Sequence, residues 1–207
     1  SDIIAMPYDI SRRTVLAGLP LAGLGGCRPQ QVSATGKAAD LLAAAHQQTR
    51  HFVRYDAKYA VLPYPDGDVP ADRGVCADVV IRAYRGIGID LQKLVHEDMV
   101  AHFDLYPNLW GLKAPDQNID HRRVPNLRVF FSRFGQSLPI SHSAMDYRPG
   151  DLLTTRPITR PHIAIVSDMR AWFGAGNLMV IQNKGFGTRQ DNELLSYEIT
   201  GHYRYGI

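Results

Sequence analysis

A chain of 207 residues with 45% hydrophobic and 21% charged side chains has the composition of an ordinary globular protein, long enough to bury one core. Its formal net charge is only +3, and no run of like charges exceeds a short arginine pair, which argues against a nucleic-acid-binding surface.

The first segment has the layout of an export signal. Ser11-Arg12-Arg13-Thr14-Val15-Leu16 precedes a Gly/Ala-rich apolar stretch reaching Gly26, a pattern similar to a twin-arginine signal. Leu24-Gly25-Gly26-Cys27 follows as a lipobox-like site, where the Cys27 thiol would take a lipid and anchor the protein to a membrane. The apolar stretch is too short for a stable transmembrane span. Residues 1–27 are therefore read as an export signal and 28–36, rich in Pro, Gln, Ser and Gly, as a tether. The folded domain spans 37–207, and the expected location is the periplasm or cell envelope.

Leu41, Leu42, Ala45, Thr49, Phe52 and Val53 recur at helical spacing and predict an amphipathic helix. The turn-rich loop Pro63 to Pro70 leads into Asp72-Arg73-Gly74-Val75-Cys76. There a second helix is predicted to begin, with Val75, Val79, Val80, Ala83 and Tyr84 as its buried stripe and Gly86 and Gly88 at its end. A further helix is predicted over Leu91 to Phe103. Another starts near Pro125, carries Leu127, Phe130, Phe131 and Phe134 on its apolar side, and stops at Gly135. Strand-like runs follow at Asp151–Thr155, His162–Ser167, Leu178–Gln182 and Ser196–Tyr205. Helices first and strands later predict an α+β domain with a small antiparallel sheet.

Cys76 carries the candidate chemistry. With Cys27 assigned to lipidation it has no disulfide partner, and a position in the first turn of a helix is expected to lower its thiol pKa. A thiol nucleophile needs a base held by a third polar group. His162, at the start of an apolar strand, is the natural base; Gln182 and Asn183, at the end of the next strand, are the two amides able to orient it. Side chains alternate along a strand, so only one of the two should face the site. Asp72 and Arg73 read first as a salt link within the loop; the alternative is that Asp72 caps the helix and Arg73 pairs with a substrate carboxylate. Likewise His121-Arg122-Arg123 reads either as a carboxylate-binding cluster or as a hydrogen-bonded helix start. No metal-ligand spacing is present, because His96, Glu97, Asp98 and His102 do not supply a recognised set, and no cofactor motif is seen.

The order of these parts resembles papain-like cysteine hydrolases of the NlpC type: a cysteine at a helix start, Pro149-Gly150-Asp151-Leu152-Leu153 entering a strand, His-apolar-apolar-Ile-Val on a strand, then a polar residue on the next. Longer stretches resemble the bacterial family filed as domain of unknown function 1287. They are Gly67 to Pro70 with Asp72 to Cys76, His96 to Met99, Asn118 to Leu127 and Gly201 to Tyr205. The resemblance implies a papain-like (NlpC-type) fold, a Cys76 nucleophile, a His162 base and cleavage of an amide bond in peptidoglycan stem peptides. NlpC-type enzymes often have His at the third position, where this chain offers Gln182 or Asn183. The alternative is a catalytically silent cell-wall-binding or envelope-scaffold module, and a third reading is an antibacterial amidase toxin.

Overall fold

The computed structural model describes residues 30–157, 160–173 and 176–207. The twin arginines and the lipidation site Cys27 lie outside the described residues. Four helices precede most of the strands. They are α1 (Gly36–Gln47), α2 (Cys76–Arg85), α3 (Leu91–Ala101) and α4 (Val124–Phe134). Between α1 and α2 a short parallel pair forms from β1 (Arg54–Tyr55) and β2 (Arg73–Gly74).

After α4 come β3 (Gln136–Ser137), β4 (Leu152–Thr155), β5 (His162–Arg170), β6 (Leu178–Asn183), β7 (Thr188–Asp191) and β8 (Ile199–Arg204). These six form one sheet in the order β3-β8-β4-β5-β6-β7, every pairing antiparallel. The α+β class follows from the chain itself.

Strand alternation sorts the sheet into two faces. Leu152, Ile163, Ile165, Ile181 and Tyr203 join Leu41, Val80, Tyr84, Leu127 and Phe131 of the helices in the main core. Leu153, Ala164, Val166 and Val180 face the other way, into a smaller cluster with Tyr147 and Leu194.

Three local expectations differ from the structure. The first helix ends at Gln47, with one 3₁₀ turn over Gln48–Arg50 and extended backbone from His51, although apolar residues continue at helical spacing. The chain is drawn instead into pairing with the Cys76 loop, where Arg54 N–H donates to Asp72 O at 2.8 Å and Asp56 N–H to Gly74 O at 3.2 Å. Phe52, expected on the apolar side of that helix, is consequently exposed.

The second difference is β7. Its polar sequence Thr-Arg-Gln-Asp carries no apolar alternation because it is an edge strand, with Thr188 buried, Arg189 exposed and Gln190 and Asp191 half-buried. Third, part of the segment read as a tether docks on the domain. Val32 N–H donates to Asp168 O at 2.7 Å and Arg170 N–H to Gln30 O at 3.0 Å, alongside β5.

The stretches carrying the family resemblance build braces. Asp98 accepts hydrogen bonds from Arg133 and Tyr106 and pairs with His102. Asp151 holds His202 and Arg204 of β8, and Asp68 holds Arg82 and Arg85 of α2. Gly67 donates its N–H to Gln92 Oε1 at 2.7 Å, and a Cβ there would stand 2.0 Å from Pro63 O, so only glycine fits.

Candidate active site

Cys76 is the first residue of α2, and the helix start is built around it by Asp78 rather than Asp72. Val75, the N-cap, has no side-chain oxygen; Asp78 Oδ2 accepts its N–H at 2.6 Å. Asp72 is 70% exposed and lies 3.6 Å from Arg73, so the cap alternative is corrected to the in-loop ion contact. Arg73 reaches Asp56 at 3.7 Å, and neither Asp72 nor Arg73 lines the cavity in front of the sulfur.

Asp78 also takes both forks of the Arg122 guanidinium, at 2.9 Å each, in a pair that is almost wholly buried. Arg122 thereby ties the 3₁₀ turn Asp120–Arg122 to the nucleophile's helix. His121 is buried beside it, its pKa pushed down to about 3 by burial first and by the Arg122 charge next. Two members of the His121-Arg122-Arg123 cluster are thus structural. Arg123 turns into the cleft, its guanidinium carbon 3.9 Å from the Trp110 ring centre.

The Cys76 thiol is raised from its ordinary value to about 11. Burial is the main cause, the sulfur's residue being 4% exposed, and the Asp78 charge adds to it. Hydrogen bonds from the backbone N–H groups of Ile163, Ala77 and Cys76 itself pull the other way. The helix-start effect is therefore present but outweighed: removing water from around a thiolate costs more than the first turn returns. Alkylation by iodoacetamide should be slow at neutral pH and climb steadily toward pH 11. A rate already on its plateau at pH 6 would contradict a neutral resting thiol.

His162, at the start of β5, hydrogen-bonds through Nε2 to Gln182 Oε1 at 2.8 Å. Gln182 rather than Asn183 meets the imidazole, and alternation decides it. Gln182 lies on the same sheet face as Val180, whereas Asn183 points to the helix side and donates to Val53 O at 3.1 Å and Gly74 O at 3.5 Å. Asn183 therefore pins β6 to the segment just before Cys76.

The amide of Gln182 is itself oriented. Its Nε2 donates to Asp191 Oδ2 at 3.0 Å and Glu193 Oε2 at 2.7 Å, and Lys184 pairs with Glu193. Ionised carboxylates only accept, so the amide nitrogen must face them and its oxygen must face the imidazole. Nε2 then carries the proton, and Nδ1 keeps the free lone pair of a base. Burial lowers the His162 pKa, against a smaller upward pull from Gln182.

The sulfur and the imidazole do not hydrogen-bond in this structure; the sulfur meets the backbone N–H one residue further along β5. They line adjoining cavities that share Tyr55, Arg160 and Pro161, with Cys76 in one and His162 in the other. Tyr55 is brought to the site by the pairing of β1 with β2, which no local sequence pattern signals. It lines the same cavity as Cys76, and its hydroxyl is raised to about 12 by burial first and the charge of Cys76 next.

Solved structures similar to this chain include an NlpC1 from Trichomonas vaginalis, with a TM-score of 0.45 and 15% identity over 85% of this chain. The match covers 46% of that protein, so this chain spans about half its length. An N-acetylmuramoyl-L-alanine amidase from Bacteroides uniformis ATCC 8492 matches with a TM-score of 0.48 and 13% identity, over 81% of this chain and 97% of that one. Among curated proteins, the uncharacterized protein YijF of Escherichia coli (strain K12) is 49% identical over 164 residues, 79% of each chain. The family model for a domain of unknown function (DUF1287) matches residues 42–205, and the chain belongs to that family.

Proposed function

We propose that this protein is an exported cysteine hydrolase that cleaves an amide bond in peptidoglycan peptides, with Cys76 as nucleophile and His162 as base. The observation that carries the reading is the ordered line Glu193/Asp191–Gln182–His162, which leaves Nδ1 as a proton acceptor on a histidine whose cavity adjoins the one lined by Cys76. A buried amide fixed by two carboxylates serves no packing need at a strand end. It serves a histidine whose tautomer matters.

The resting pair is neutral. Substrate entering the two cavities expels water and brings thiol, imidazole and carbonyl together. The Cys76 proton passes to Nδ1 as sulfur attacks the carbonyl carbon, giving a tetrahedral oxyanion. In this reading the Cys76 N–H at the helix start and the Tyr55 hydroxyl, which lines the same cavity, donate to that oxyanion. His162 then returns the proton to the leaving amine, and a water deprotonated by His162 frees the acyl group from sulfur. Because burial lowers the His162 pKa, the loss of activity on acidification belongs below the ordinary histidine value of about 6.5.

Export through the twin-arginine segment and anchorage through Cys27 are part of this reading, and they supply the reason for choosing a cell-envelope substrate. Digestion of purified muropeptides by wild type and Cys76→Ala tests it: new products from wild type alone are expected, and products from neither sink the hydrolase reading.

The second reading is a catalytically silent cell-wall-binding or envelope-scaffold module. It is favoured by the buried neutral thiol and the missing sulfur–imidazole hydrogen bond. Retained binding of Cys76→Ala to sacculi, together with no turnover by wild type, is the outcome it expects.

A further inference from the structure

The cavity in front of the Cys76 sulfur, about 260 Å³, carries positive charge that the chemistry above does not use. Three arginines line it, and they are not equivalent. Arg122 is neutralised by Asp78. Arg123 and Arg160 have no carboxylate within 4 Å among the described residues, and no Asp or Glu lines the cavity.

Arg123 is the more constrained of the two. Its guanidinium rests over Trp110, which holds the plane of the fork, and its Nη1 is buried with no hydrogen-bond partner among the described residues. Neither nearby carboxylate pairs with it: Asp116 is held by Tyr59 and Asn118, and Asp120 accepts from His96 and the Asp116 N–H through Oδ2 while its Oδ1 is buried without a partner among the described residues. The charges of Asp120 and Asp116 offset only part of the desolvation of this half-buried cation. Burial lowers the Arg123 pKa accordingly. A planar fork with one buried, unspent N–H group matches a carboxylate.

We propose that Arg123, backed by Trp110 and assisted by Arg160, forms a carboxylate-binding subsite, so that the substrate bears a free carboxylate on the residue flanking the bond presented to Cys76. The second half of this statement rests on the hydrolase reading; the binding half does not. The cavity is smaller than the roughly 300–1,000 Å³ of drug-sized pockets, so anion and scissile bond belong to the same or adjacent residues.

The binding half is tested in the Cys76→Ala protein carrying Trp172→Phe. Of the two tryptophans in the chain, this leaves Trp110 as the single indole reporter. N-Acetylglutamate should change Trp110 emission saturably, and the uncharged N-acetylglutamine amide should not. Arg123→Gln, verified as folded by circular dichroism, should weaken N-acetylglutamate at least tenfold, with Arg123→Lys intermediate because it keeps the charge but loses the fork. Equal binding of the two probes, or unchanged affinity in folded Arg123→Gln, overturns the subsite. Should Arg123→Gln not fold, Arg160→Gln and the salt dependence decide: an affinity indifferent to both overturns it, since a cation–carboxylate contact at a partly open site is screened.

The two readings fail separately. Carboxylate binding through Arg123 with no peptide ever cut removes the hydrolase reading and leaves the subsite. Equal cleavage of peptides bearing carboxylate or carboxamide beside the scissile bond removes the subsite and leaves the hydrolase.

Discussion

Gln182→Leu is expected to leave the protein folded and to lower turnover by about 10²–10⁴-fold, the range seen when a catalytic histidine loses the group that sets its tautomer. The side chains are similar in size, and the carboxylates left behind keep other partners: Lys184 for Glu193 and Arg189 for Asp191. What disappears is the acceptor for His162 Nε2. The imidazole can then carry its proton on Nδ1, where it no longer accepts from the thiol. Leaving a buried N–H unsatisfied costs about 1–3 kcal/mol, which also frees the ring to rotate. The loss should appear in kcat with KM little changed, and the acid limb of the pH profile should move, because Gln182 favours the charged imidazole. Full activity in Gln182→Leu would show that Gln182 plays no part in the chemistry.

Arg122→Met should destabilise the protein by about 3–5 kcal/mol, the cost of leaving one partner of a buried ion pair behind. Asp78 would retain a buried carboxylate with the Val75 N–H as its remaining hydrogen-bond partner, in the first turn that carries Cys76. The denaturant midpoint should fall with little change in slope. Adding Asp78→Asn removes the stranded charge, so the double variant should recover part of the loss, giving a coupling energy of the opposite sign to the single effects. A single-variant cost below about 1 kcal/mol, the level of an exposed pair, would contradict the burial of this contact. Because the pair ties the 3₁₀ turn before α4 to the nucleophile's helix, turnover should fall along with stability.

Much of the scaffold is written locally. The starts of α2 and α4, the Gly135 stop and the strands β4, β5, β6 and β8 follow from apolar period, capping chemistry and β-branched runs that a short window contains. The first helix was read too long because the apolar spacing beyond Gln47 continues, while the backbone there is claimed by a loop some twenty residues away. β7 was missed because an edge strand need bury neither face.

Cys76 and His162 were legible as candidates, since a lone cysteine before an apolar helix and a histidine opening a buried strand are local patterns. The choice between Gln182 and Asn183 was not, because it depends on which sheet face each amide occupies. The Asp78–Arg122 pair was not legible, because its two members lie 44 residues apart and no local pattern links them. Tyr55 and Arg123 entered the cleft through long-range packing alone.

Residue order and type by themselves determined that the chain is α+β, where its helices and principal strands begin, and which thiol and imidazole to compare. The tertiary structure alone decided that Gln182 orients the imidazole, that two carboxylates orient Gln182, that Arg122 is spent and Arg123 is not, and that the thiol is raised rather than lowered. The first rests on which sheet face each amide occupies once β5 and β6 pair. The others depend on how much water is excluded and which distant charge fills its place, and neither quantity exists until the sheet and α2 have packed together.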